Sequence, residues 1–98
     1  MMQLIKEGKK TQTLRLARKR LDVEENEIVK AIFPGTDKEL KLQITSKGYK
    51  QFKSVNETDV ELEGYQTLKE LREDLKKIYP LIDSHDRLYW YRFKVVET

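Results

Sequence analysis

Between residues 67 and 79 the apolar side chains stand three and four positions apart, and on either side of that stretch they stand two apart. Leu68, Leu71, Leu75 and Ile78 form one stripe of a helix. Leu40, Leu42 and Ile44, and later the run from Leu88 to Val96, follow the two-residue repeat of a strand. Thr11 to Leu16 alternate as well, with Gln12, Leu14 and Leu16 on one face and Thr11, Thr13 and Arg15 on the other. Glu27 to Phe33 read as a second strand, stopped by a tight turn at Pro34-Gly35. It pairs as a hairpin with Leu40 to Thr45, extended through Tyr49 and Phe52.

Asn56 to Glu63 read as a short helix with Val60 inside and Gly64 at its end. Thr67 and Glu70 form a capping box for the longer helix, which Pro80 stops after Tyr79. In the last strand Tyr89, Tyr91, Phe93 and Val95 alternate with Leu88, Trp90, Arg92 and Lys94, so that one face is apolar and the other mixed. Strands flanking a helical insertion predict an α+β domain with a curled antiparallel sheet. With 98 residues, positions 1–98 make a single domain.

Composition removes several function classes. No apolar run approaches the roughly 20 residues of a membrane span. Met1 to Glu7 lack the apolar stretch of a signal peptide, so the expected location is the cytoplasm. The absence of cysteine removes disulfides, thiol nucleophiles and thiolate metal sites. One histidine removes multi-histidine metal centres, and neither a metal nor another cofactor is expected. The net charge of +3 is unevenly spread: residues 1–20 carry Lys6, Lys9, Lys10, Arg15, Arg18, Lys19 and Arg20 against Glu7 alone. Such a cluster either attracts a polyanion or stands as a solvated basic loop.

Two segments carry candidate chemistry. Gly8-Lys9-Lys10-Thr11-Gln12-Thr13-Leu14-Arg15 opens on a glycine, continues with two lysines, and then presents hydroxyls and an arginine on a strand. It is not a Walker phosphate loop, which needs a further glycine upstream and a helix after the lysine. The second segment is Glu61 to Leu68, in which Glu63 stands at the junction of the two helices, free to turn inward or to join the solvated face. These two segments, with the helix ending Ile78-Tyr79-Pro80 and the strand Tyr91-Arg92-Phe93-Lys94-Val95, resemble the ASCH domain family in order and spacing, from about Leu4 to Val96.

The resemblance implies a PUA-like small antiparallel β-barrel with two helices inserted before the last strand. Small single-domain bacterial members of that family include an amidohydrolase that removes the acetyl group from N4-acetylcytidine. Their motif matches this chain at Gly8, Lys9, Lys10, Thr11, Thr13 and Arg15. The resemblance therefore implies Lys10, Thr13 and Glu63 as catalytic residues, and Lys9, Thr11, Arg15, Arg18 and Lys19 as contacts to substrate or RNA. The alternative is a non-catalytic RNA-binding module, and the expected partner is a modified nucleoside or RNA. Asn26 departs from the pattern by standing where the family often has glycine, and the stretch from Ala17 to Glu25 is unusually basic and then acidic.

These residue types suit amide hydrolysis. Thr13 supplies a hydroxyl nucleophile that needs activation. Glu63 protonates the leaving nitrogen if its carboxyl holds a proton near neutral pH. Lys10 acts as base only when neutral; paired with Glu63 it stays charged and instead stabilises the oxyanion. His85, in Asp83-Ser84-His85-Asp86, reads as a loop histidine, because the members of a triad come from separate elements. Tyr89, Trp90 and Tyr91 either stack a base or fill the core.

Overall fold

The computed structural model describes Ile5, residues 8–32 and residues 39–97. Phe33 and the turn expected at Pro34-Gly35 lie outside the described residues. In chain order the elements are β1 (Gln12–Leu16), a 3-10 turn (Ala17–Lys19), β2 (Ile28–Ile32), β3 (Glu39–Gln51), a second 3-10 turn (Phe52–Ser54), helix α1 (Glu57–Glu63), helix α2 (Leu68–Ile78) and β4 (Arg87–Glu97). The sheet is antiparallel throughout, in the order β1-β4-β3-β2. It curls into a half-barrel with α1 and α2 inserted before β4, which is the expected α+β architecture. The half-barrel leaves β1 and β2 as its edges among the described residues.

The sheet is organised on a long β3–β4 ribbon with a short strand at each of two diagonal corners. β1 pairs with Leu88 to Arg92 at one end of β4, and β2 pairs with Glu39 to Gln43 at the opposite end of the ribbon. Between Ile44 and Ser46 the β3–β4 register shifts by a bulge, which adds one residue to β3. The extra residue exchanges the faces of β3. Leu40, Leu42 and Ile44 point to the side of Phe93, whereas Ser46, Gly48 and Lys50 point to the side of Trp90 and Leu88.

Each face buries its own core. Leu14, Leu16 and Leu88 pack under the helices with Phe52, Val55, Val60, Leu71, Leu75 and Tyr79. Leu40, Leu42, Ile44, Phe93 and Ile5 pack on the other face. β4 is therefore not apolar on one side only, as its alternation predicted: its first half feeds one core and its second half the other. The helical stripe is corrected at one position. Leu71 and Leu75 are buried, but Ile78 is 64% exposed, and Tyr79 covers the end of the core after its backbone leaves the helix at φ −125°, ψ 79°.

The helix boundaries have local causes. Asn56 caps α1 by accepting from the Thr58 and Asp59 amides, and Asp59 Oδ2 accepts from the Asn56 amide in return. Gly64 ends α1 in the left-handed region at φ 82°. At α2, Thr67 Oγ1 accepts from the Glu70 amide at 3.1 Å; this is half of the box expected there, and the reciprocal arrangement belongs to α1. Asn26 has φ 69°, a conformation that asparagine tolerates better than most side chains.

Candidate active site and adjoining cleft

Lys10 and Gln12 continue the stripe of Leu14 and Leu16 on the helix-side face of β1. Asp59 and Glu63 stand one turn apart on α1. A two-residue step along a strand covers about 6.6 Å and a four-residue step along a helix about 6 Å, so two side-chain rungs can close between the same strand and helix. Both do. Lys10 Nζ donates to Glu63 Oε1 at 2.9 Å, and Gln12 Nε2 donates to Asp59 Oδ1 at 3.0 Å. The Thr11 amide adds a backbone link to the Leu62 carbonyl at 2.7 Å. All four rung residues are buried, Gln12 and Asp59 completely.

The second rung is anchored from two further strands. Lys50 Nζ of β3 donates to Asp59 Oδ2 at 2.8 Å, and Arg92 Nε of β4 donates to Gln12 Oε1 at 3.1 Å. Burial opposes ionisation of Asp59, but Lys50, the Gln12 amide and the Asn56 N–H outweigh it and hold this carboxyl below its ordinary value. Glu63 goes the other way. Burial pushes its carboxyl up more than Lys10 and Gln12 pull it down, and the Asp59 charge adds to the upward push. Glu63 Oε2 is buried and has no hydrogen-bond partner. A buried, unpartnered carboxylate oxygen with a raised proton affinity is suited to carrying a proton. On the far side of the helix junction the Tyr65 hydroxyl donates to Asp74 Oδ2 at 2.7 Å, and burial with the Asp74 bond and charge raises its pKa.

The remaining predicted residues divide. Lys10 and Thr11 line a small cavity of about 150 Å³ with Ile5, Gly8, Phe93, Lys94 and Val95. Lys9, just before it, is exposed. Thr13 and Arg15 lie on the other face of β1, opposite Tyr91 and Tyr89 of β4. Thr13 makes no side-chain hydrogen bond to Lys10 or Glu63. Arg15 is half-buried, and its Nε has no partner. On this face a cleft of about 800 Å³ opens between the loop after β1 and the β3–β4 ribbon. Arg18 and Arg20 line it with Lys47, Tyr49, Tyr89 and Tyr91; Lys19 is exposed beside it.

The cleft wall is held by specific bonds. Tyr91 Oη accepts from the Leu21 amide at 2.9 Å and donates to the Leu21 carbonyl at 3.0 Å, which ties the basic loop to β4. Lys47 Nζ donates to the Val23 carbonyl at 2.8 Å. Tyr49 and Tyr89 lie with ring centroids 5.8 Å apart, and the guanidinium of Arg20 stands 5.9 Å from the Tyr89 ring. Trp90 instead packs against the core over Gly48, and the exposed His85 remains a loop residue whose amide donates to Asp83 Oδ1.

Sequence reasoning missed Gln12 and Asp59 as site residues, along with Lys47, Lys50 and Tyr49. For Gln12 a signal was present: it is a polar residue inside the apolar repeat of Leu14 and Leu16. For Asp59 the signal was its four-residue distance from Glu63. Among the described residues no helix is long and apolar enough to cross a membrane, and no group of metal-binding side chains gathers.

No family model and no curated protein matches this chain by sequence. Solved structures match it by fold. The crystal structure of an ASCH domain from Lactobacillus crispatus JV V101 is similar at a TM-score of 0.85 and 20% identity, over 98% of this chain and 70% of that one. A protein from Enterococcus faecalis V583, assigned to the family DUF984, is similar at a TM-score of 0.75 and 21% identity, over 97% of this chain and 66% of that one. The chain thus spans about two thirds of the length of either structure. The half-barrel built on a bulged β3–β4 ribbon, with two helices inserted before its last strand, is the fold of an ASCH domain.

Proposed function

We propose that this chain belongs to the ASCH family and hydrolyses the amide of N4-acetylcytidine or a related acylated nucleoside, with Lys10 and Glu63 as the reacting pair and Thr13, on the opposite face of β1, as the nucleophile that the sequence motif implies and that a separate variant tests. The observation that supports this reading is the buried Lys10–Glu63 contact together with the unpartnered Glu63 Oε2. An ammonium 2.9 Å from a carboxylate is an ion pair, so Lys10 serves as a cation. Its charge stabilises the oxyanion formed when the acyl carbonyl is attacked. Glu63 takes the proton of the attacking hydroxyl and returns it to the N4 nitrogen as the C–N bond breaks. The nucleoside amine leaves, and the acyl group departs as acetate after water adds.

The test is cytidine release from N4-acetylcytidine by the purified chain. Lys10→Ala and Glu63→Gln are expected to lose about 10²- to 10⁴-fold in turnover. Absence of turnover in the wild type, or turnover in both variants unchanged from the wild type, overturns the reading. Thr13→Val assigns the attacking group: loss of turnover identifies the Thr13 hydroxyl, and retained turnover identifies water.

A second reading, RNA binding without catalysis, is favoured by the cleft. Tyr49 and Tyr89 beside two arginines and a lysine combine stacking surfaces with phosphate-binding charge. Affinity for single-stranded RNA that falls steeply with salt is the expected result, and undetectable or salt-insensitive binding counts against it.

A further inference from the structure

Gln12 is completely buried in a stripe where leucine would continue the core, and Asp59 is completely buried four residues before Glu63. Burying an amide and a carboxylate costs several kcal/mol unless each polar atom is paired. Here the pairing fixes orientation as well. Arg92 can only donate, so it faces Gln12 Oε1; the Asp59 carboxylate can only accept, so it faces Gln12 Nε2. Gln12 also favours the charged form of Glu63, so the rung acts on that carboxyl from beside it. Core packing alone does not require this four-residue network, because an apolar pair at positions 12 and 59 would fill the same space without any burial penalty.

We propose that the rung formed by Gln12 and Asp59, clamped by Lys50 and Arg92, is the positioning device that holds the Glu63 carboxyl in place and keeps it ready to carry a proton. The inference rests on the reading of Glu63 as the proton-carrying group of the amidohydrolase. The charged and titratable groups that face Glu63 are Lys10 from the segment before β1, Asp59 from its own helix and Tyr65 from the turn after α1, while Lys50 from β3 and Arg92 from β4 reach it through Asp59 and Gln12. Asp59, one turn away and held ionised by Lys50, is the negative charge of this set that opposes ionisation of Glu63. Lys50 sets how strongly that charge is felt.

The experiment is an NMR titration of the Glu63 side-chain carboxyl in the full-length chain, run on wild type, Asp59→Asn and Lys50→Gln, with the pH profile of N4-acetylcytidine turnover measured alongside. Removing the Asp59 charge is expected to lower the Glu63 midpoint. Removing the Lys50 cation leaves the Asp59 charge uncompensated and is expected to raise it. The limb of the turnover profile that reports Glu63 should move in the same two directions. Because the two variants have opposite signs, general loosening of the fold cannot imitate the pair of results; if Asp59→Asn does not fold, a raised midpoint in Lys50→Gln still decides the matter, since loosening would lower it. A Glu63 midpoint that stays in place, or moves the same way in both variants, overturns the inference even if turnover is present. Opposite shifts without any turnover uphold the positioning device and overturn the amidohydrolase reading instead.

Discussion

Lys10 and Glu63 lie 53 positions apart in the chain, yet each supplies the other's buried partner at 2.9 Å. Their interdependence is testable through stability. The folded-state pKa of Glu63 lies above its ordinary value of 4.5, so the carboxyl's own contribution is most favourable below that pH and is lost as pH rises through the folded value. In Lys10→Ala the carboxylate loses its cation and must either stay buried and unpaired or take up a proton. The expected cost at pH 7 is about 3 kcal/mol. At pH 4.5, below the folded-state value, the protonated form is favoured and the cost should shrink. Urea unfolding midpoints at the two pH values measure this, and an equal loss at both would contradict it. The motif around Lys10 was legible in the sequence because glycine, lysine and threonine stand close together there. That Glu63 turns inward was not, since a carboxylate beside a helix-ending glycine more often faces solvent.

At the scale of elements, the bulge in β3 decides most of what alternation alone could not. It places Gly48 and Lys50 on the helix side of the sheet although Leu42 and Ile44 face the other way. Gly48 lies under the Trp90 ring, and a Cβ there would run into the indole. Gly48→Ala is expected to destabilise the domain by about 1–3 kcal/mol, because indole and backbone must both shift. Thermal unfolding followed by Trp90 fluorescence reads both the loss and the displaced ring, and an unchanged midpoint and spectrum would refute it. The helices show a similar division. The 3.6-residue period and the terminating Gly64 were visible in the sequence. The closed capping box on Asn56 and Asp59 was not, because Thr67 and Glu70 carried the more familiar pattern. Asn56→Ala should cost about 1 kcal/mol and loosen the helix that carries both carboxylates, as amide exchange across α1 would show.

Across the whole molecule, β1 separates two chemistries. Its helix-side face carries the buried rungs, and Thr13 and Arg15 on its other face stand opposite Tyr91 and Tyr89, which line the open cleft. Between Lys10 and Ala17 the chain runs seven residues, about 23 Å if fully extended, so one strand spans from the ion pair to the cleft wall. An RNA strand held by Arg18 and Arg20 would lose about one unit of salt slope for each arginine replaced by alanine, with affinity reduced similarly for all sequences. Filter binding between 50 and 200 mM salt is the measurement, and an unchanged slope in the double variant would remove the cleft from the RNA reading. Lys10→Ala should leave that slope intact, because its ammonium is committed to Glu63.

Local interactions settle periodicity, capping and turn-forming residues, and these are properties of neighbouring positions. They determined the α+β class, the helical insertion and the basic N-terminal segment from the sequence by itself. Which face each strand buries depends on where a bulge falls between partners distant in the chain, and only the tertiary structure decided that. The same holds for Gln12 and Asp59. Their type is polar and their spacing unremarked, and they become part of a site only when a strand step of about 6.6 Å meets a helical turn of about 6 Å.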